Sequence, residues 1–347
     1  MSTRAVDEAA EAGADAGEPL IAVRDLTVSI DGNELVAIDE LDIPRGGRLG
    51  LVGESGAGKT ITALSLLDLQ PRQAQRTGSV RLEGRELVGL TDRELSRVRG
   101  ADVGVVLQDP TSALNPLTRV GRQIDEAIRM HSSMTRRQRK ERVLELLSQV
   151  QLPDVKQLRR RFPHQLSGGQ RQRVMIAIGI ACNPKLLIAD EPSSSLDVNV
   201  QAEILDLLVR LGEEHNMATL FISHNLGVVR MICERVAVLY GGKVVEQGPS
   251  DAVLDHPRHR YTEALIAANP DQIASDAVQG ALGQPLWPIP GETPSPGQFP
   301  SGCRFRNRCA HALASCAEDP PIKRTPADGS FICWNPADDG ERPDARG

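Results

Sequence analysis

Gly53-Glu54-Ser55-Gly56-Ala57-Gly58-Lys59-Thr60 fits the pattern G-x-x-x-x-G-K-[ST], and its reading decides the rest. The apolar residues Leu49 to Val52 before it read as a strand, and Ile61 to Leu69 after it read as a helix. Each residue type has a physical reason. The glycines, with Ser55, let the backbone curl until its N–H groups face phosphate oxygens. The start of the helix adds a partial positive charge. Lys59 is placed to reach a β- and γ-phosphate, and the Thr60 hydroxyl to coordinate Mg²⁺. Gly53, Ser55, Gly56, Gly58, Lys59 and Thr60 are therefore the predicted phosphate site.

A second stretch completes the chemistry. Leu186-Leu187-Ile188-Ala189-Asp190-Glu191 is a continuous apolar run ending in two acids, as expected of a strand buried on both faces. Asp190 is placed to hold Mg²⁺, and Glu191 to act as general base toward an attacking water. Two acids after an apolar run say little alone; beside a phosphate loop they complete a site.

The surrounding sequence sets limits. The chain has 347 residues with 40 Lys plus Arg against 46 Asp plus Glu, a net charge of −6 that argues against a general nucleic-acid partner. The basic run from Arg136 to Arg142 reads as a solvated helix face. Aromatic residues make up only 3%, so the core must be built from Leu, Val, Ile and Ala. The longest apolar stretch, Val174 to Ala189, is interrupted by Asn183, Pro184 and Lys185, too soon for a spanning helix of about 20 apolar residues. The N-terminus is acidic without an apolar core and does not read as a signal peptide. The expected location is the cytosol.

Residues 1–18 read as a disordered acidic tail. Strands are expected at Ile21–Ile30 and in the hairpins around Gly84 and around Gly241-Gly242. Helices dominate from Val120 to Val150, and another opens near Ser167. This alternation predicts an α/β domain over residues 19–268 with a helical insertion at about 109–168. Six prolines between Pro285 and Pro300 predict a semi-rigid linker within a 269–335 region, ahead of a flexible tail at 336–347. Four of the six cysteines follow those prolines; Cys182 and Cys233 sit in apolar surroundings and read as buried thiols.

Leu166-Ser167-Gly168-Gly169-Gln170-Arg171-Gln172-Arg173 reads as a second phosphate-binding helix start, with a Ser and two glycines exposing backbone donors. It resembles the signature loop of ATP-binding-cassette (ABC) ATPases. The resemblance implies a P-loop ATPase fold with an antiparallel β subdomain and an inserted helical subdomain. It also implies that Ser167, Gly168, Gly169 and Gln170 face the nucleotide of a second cassette. Other motifs follow in family order. Gln108 resembles the Q-loop glutamine that senses Mg²⁺ and water, Ser195-Leu196-Asp197 the D-loop, and His224 the switch histidine at the γ-phosphate. Thr60, Gln108 and Asp190 are thus the expected Mg²⁺ set, and Glu191, His224 and Gln108 the catalytic set. One departure stands out: the aromatic residue that usually stacks on adenine is replaced at the matching place by Ile30.

Three further stretches resemble the oligopeptide, dipeptide and nickel importer branch. They are Gln108 to Pro116, His256 to Thr262, and the terminal segment bearing Cys303, Cys309, Cys316 and Cys333. His256 and His259 read as turn and helix-start packing. Four soft thiolates suit Zn²⁺ or a [4Fe–4S] cluster, or stay unliganded; the resembling importers carry a [4Fe–4S] cluster there. The resemblance implies an ATPase driving uptake of peptide, or of nickel or another small solute. The implied partners are two transmembrane permease subunits, a second ABC ATPase subunit and an extracytoplasmic substrate-binding protein, with this chain at the cytoplasmic membrane face. The competing classes are a soluble ABC ATPase without a transport role and an iron–sulfur redox protein with a regulatory ATPase.

Overall fold

The computed structural model describes residues 18–194, 196–269 and 288–337. Nearly all of the expected N-terminal tail, Ser195, the first part of the proline-rich region and most of the expected C-terminal tail lie outside these residues.

Among the described residues the strands form two sheets. The first is antiparallel. Ile21–Ile30 pairs on one side with Asn33–Ile43 and on the other with Gln75–Leu82, which turns into Arg85–Glu86. Asn33–Ile43 escaped the sequence reading because Glu34, Asp39, Glu40 and Asp42 dilute its apolar pattern. Val36, Ile38, Leu41 and Ile43 are nevertheless fully buried.

The second sheet has eight strands. Its parallel centre runs in the order Arg235–Tyr240, Arg48–Val52, Ala218–Ser223, Leu186–Asp190, Val103–Val106. Every residue of Leu186–Asp190 and Ala218–Ser223 is buried, because both faces of the sheet are covered. At the other edge, Lys243–Pro249 pairs antiparallel with Arg235–Tyr240 and then with Gly329–Phe331, which pairs with Lys323–Thr325. The C-terminal cysteine-bearing segment thus extends the same sheet, a pairing the sequence did not disclose. Residues 288–300 contain neither helix nor strand, as their prolines require.

The helical lobe contains Val120–His131 and Arg136–Gln149, which pack on Gly168–Gly179. In the basic run, Arg136, Arg137 and Lys140 are exposed as expected. Arg139 and Arg142 instead turn inward: Arg139 pairs with Asp125 at 2.8 Å, and buried Arg142 donates to the Asn183 side chain at 2.6 Å. Of the two cysteines expected in the core, Cys233 is buried and Cys182 only half-buried.

The helix Gly168–Gly179 reaches the sheet through a glycine contact. A Cβ on Gly104 would lie 2.1 Å from the Gly179 carbonyl oxygen. Gly104→Ala is expected to cost about 1–3 kcal/mol through overpacking, read from the urea unfolding midpoint. An unchanged midpoint would show that the helix yields freely.

Candidate active site

The strand Arg48–Val52 ends at Gly53, and the loop curls into the helix Lys59–Ser65. Gly58 precedes that helix with φ of 101°, a backbone open to glycine and strained for other residues. Lys59 is buried and bends back, donating to the carbonyls of Gly53 at 2.9 Å and Glu54 at 3.0 Å. Burial lowers its pKa, while the carboxylates of Glu191, Asp190 and Glu54 oppose that shift.

Two strands away, Leu186–Asp190 ends level with this loop, since both strands are in parallel register with Ala218–Ser223. The Thr60 hydroxyl therefore donates to Asp190 Oδ2 at 2.8 Å. Burial raises the Asp190 pKa, and the Thr60 hydrogen bond works against the rise. A buried carboxylate met by a hydroxyl beside a lysine is a donor set that suits a hard divalent cation and phosphate oxygens.

Glu191 adopts φ of 44°, a left-handed conformation that costs a non-glycine residue about 1–3 kcal/mol. Its N–H donates to Ile222 O at 3.0 Å. Gln108 Nε2 donates to Glu191 Oε2 at 3.0 Å, and His224 Nδ1 lies 3.2 Å from Oε1. One carboxylate is thus gripped at both oxygens by residues 83 and 33 positions away in the chain, the arrangement needed to hold a general base in a fixed direction.

Ser167 caps the helix Gly168–Gly179: its hydroxyl accepts from Gln170 N at 3.3 Å, and Gln170 Oε1 accepts from Ser167 N at 3.2 Å. Gly168 and Gly169 lie against Leu196 and Val200. Asp197 caps the helix Val198–His215, accepting from Val200 N at 3.1 Å. Among the described residues no hydrogen bond or ion pair joins Ser167–Gln170 to Lys59, Thr60, Asp190 or Glu191. Lys59, Thr60, Gln108, Asp190, Glu191 and His224 thus converge, and the signature residues are not bonded to them. Ile30, at the end of its strand, is half-buried.

Cys303, Cys309, Cys316 and Cys333 carry free thiols. Burial pushes Cys303 up to about 11 and also raises Cys309 and Cys333, and neighbouring thiols add to each shift. Among the described residues, however, no three His, Cys, Asp or Glu side chains are grouped as metal ligands. His259 packs at a helix start, its Nδ1 accepting from Tyr261 N at 3.0 Å. Sequence reasoning missed two residues that help to hold Glu54 of the phosphate loop, Tyr261 and Arg308. Tyr261 was visible only as part of a branch motif, and nothing marked Arg308 beyond its place beside Cys309.

Comparison with known proteins places the chain in a family. A family model described as ABC transporter matches residues 37–194, and one described as the C-terminal region of oligopeptide/dipeptide transporters matches 245–316. A relative in Brucella abortus (strain 2308), named "Putative peptide import ATP-binding protein", is 46% identical over 309 residues, covering 88% of this chain and 91% of its own. A relative of the same description in Brucella ovis is 43% identical over 299 residues, covering 83% and 88%. Among solved structures, the dimeric post-hydrolysis ATP-binding cassette MJ0796 bound to ADP and Pi has a TM-score of 0.59 at 28% identity, covering 66% of this chain and 98% of that one. The cbiO1 protein of Clostridium perfringens has the same fold, with a TM-score of 0.62 at 22% identity over 76% of this chain and 100% of that one.

Ser167→Ala removes the cap of the signature helix and is expected to cost about 1 kcal/mol of stability. The free energy from denaturant unfolding measures it; no loss would mean the cap is not formed in solution.

Proposed function

This chain belongs to the ABC transporter family of ATP-binding, ATP-hydrolysing subunits, and we propose that it powers a membrane importer for di- or oligopeptides. The choice of cargo is supported by the match of residues 245–316 to the oligopeptide/dipeptide C-terminal region and by the names of its relatives.

One observation carries the mechanism: Glu191 is held between Gln108 and His224 beside the Thr60–Asp190 pair. On binding, Lys59 leaves its two backbone carbonyls for the β- and γ-phosphates of ATP, and the N–H groups of Gly53–Thr60 cradle the rest. Thr60, Asp190 and Gln108 would hold Mg²⁺, which would supply charge neutralisation to the triphosphate. Glu191 takes a proton from water as its oxygen bonds to the γ-phosphorus and the bond to ADP breaks. Gln108 and His224 keep the carboxylate aimed, and His224 turns toward the γ-phosphate. Ser167, Gly168, Gly169 and Gln170 of a second cassette, with Asp197 at the shared face, close over the same ATP. Val198, 81% exposed beside Asp197, supports such a covered face.

No helix among the described residues is long and apolar enough to cross a membrane. We assign the spanning part to two separate permease subunits, with this chain peripheral at the cytoplasmic face and an extracytoplasmic binding protein delivering solute. Leu117 and Met130, 86% and 70% exposed on the helical lobe, offer apolar surface for that docking. The four cysteines would hold a [4Fe–4S] cluster, whose contribution would be to cross-link a segment with little core of its own. Four free thiols in one segment supply the ligand type such a cluster needs; among the described residues they are not grouped as metal ligands.

Glu191→Gln is expected to retain ATP binding and lose turnover by about 100-fold or more, measured as phosphate release; wild-type turnover would remove Glu191 as the base. Pull-down from detergent-solubilised membranes is expected to recover two membrane subunits with a bound peptide-binding protein, whereas recovery of ribosomes or nucleic acid alone would contradict the transport role. Anaerobic purification is expected to yield about four irons and four sulfides per chain; one zinc and no iron would reject the cluster.

A further inference from the structure

The chain has two tyrosines, and both lie with Phe305 at the phosphate loop. Tyr240 and Tyr261 stand 4.5 Å apart between ring centroids, and Phe305 meets them edge-on at 5.2 and 5.3 Å. The Tyr261 hydroxyl accepts the N–H of Glu54, the second residue of the loop, at 2.8 Å. Arg308, buried over this aromatic group, donates from both terminal nitrogens to the Glu54 carboxylate, at 2.7 and 3.0 Å. Its remaining N–H groups reach Pro290 O at 2.7 Å and Gly291 O at 3.1 Å, and Thr293 donates to the same carboxylate at 3.2 Å. A second arginine of the segment acts nearby. Arg304 stacks on Phe299 and donates to Gly241 O and to Glu34, while Gly242 N donates to the loop at Ala57 O, 2.8 Å away.

We propose that Arg308 is a positioning residue for the phosphate loop, so that the packing of the cysteine-bearing C-terminal segment sets the affinity of the nucleotide site. The line of force is short. Arg308 holds the Glu54 side chain, and the Glu54 carbonyl is one of the two that hold Lys59. A bidentate arginine–carboxylate pair fixes direction as well as distance. Removing one member leaves the other without its partner, which matters most for the buried Arg308. The loop then loses its fixed height relative to Lys59. Arg304 restrains the opposite side of the loop through Gly241 and Gly242, so the segment from Arg304 to Arg308 grips it at two points. This inference rests on Gly53–Thr60 being the nucleotide site.

The test uses the full chain, titrated with a fluorescent ATP analogue and Mg²⁺ and assayed for ATP hydrolysis. Arg308→Met and Glu54→Gln are each expected to weaken binding by about tenfold, equivalent to about 1.4 kcal/mol. The double variant is expected to be no weaker than the worse single, because both changes break one pair. KM for ATP should rise with the dissociation constant while kcat falls by a smaller factor, and Arg308→Lys should recover part of the loss. Should Arg308→Met not fold, Glu54→Gln, which keeps size and an acceptor, carries the comparison. Variants that melt earlier yet bind within about twofold of wild type would show a mere structural staple and overturn the proposal. Failure of the wild type to bind the analogue would instead strike the assignment of the nucleotide site.

Discussion

Everything at the site depends on parallel strands ending at one level. Arg48–Val52 and Leu186–Asp190 flank Ala218–Ser223 in register, so Thr60, Asp190 and His224 arrive at a common edge from three distant parts of the chain. A slip of one residue in any of these strands would carry its terminal side chain away from that edge. Close packing against both covered faces makes that slip costly. The catalytic geometry is thus a by-product of burial in the sheet, and Glu191 is strained into its left-handed conformation at the point where the strand must stop.

The same sheet explains why the C-terminal segment is not an appendage. Gly329–Phe331 pairs with Lys243–Pro249, two strands from the one that leads into the phosphate loop. Pairing there brings Arg304 and Arg308 to the loop, and the chain's sparse aromatic residues are concentrated at that junction. In a protein with so few aromatics, this placement marks where shape matters most. A segment poor in apolar residues gains order by binding the cassette through buried arginines and carbonyls rather than through a core of its own.

Much of this was legible in the sequence for stated reasons. A phosphate loop advertises itself, because only glycines, a lysine and a hydroxyl in that spacing satisfy the chemistry. Leu186–Asp190 was legible because a strand buried on both faces is continuously apolar. The capped helix after Ser167 was legible from its Ser, glycines and Gln170. Asn33–Ile43 was not, since exposed acids on its outer face broke the alternation. The Arg308–Glu54 pair was invisible because partners 254 positions apart leave no local pattern, and an arginine between Asn307 and Cys309 looks like any surface arginine. Nor could spacing reveal that, among the described residues, the thiols are not grouped as metal ligands.

The central claim is that one triphosphate is held jointly by the lysine loop of one chain and the Ser167–Gln170 turn of another. The most direct measurement is the mass in solution of the Glu191→Gln protein with saturating Mg-ATP, followed by the structure of the loaded species. The account predicts a two-cassette particle, formed with this chain or a related ATPase subunit, in which Ser167 and Gly169 touch the γ-phosphate bound at the partner's Lys59. A loaded protein that remains a single cassette in the presence of either candidate partner, with its signature turn far from nucleotide, would contradict it.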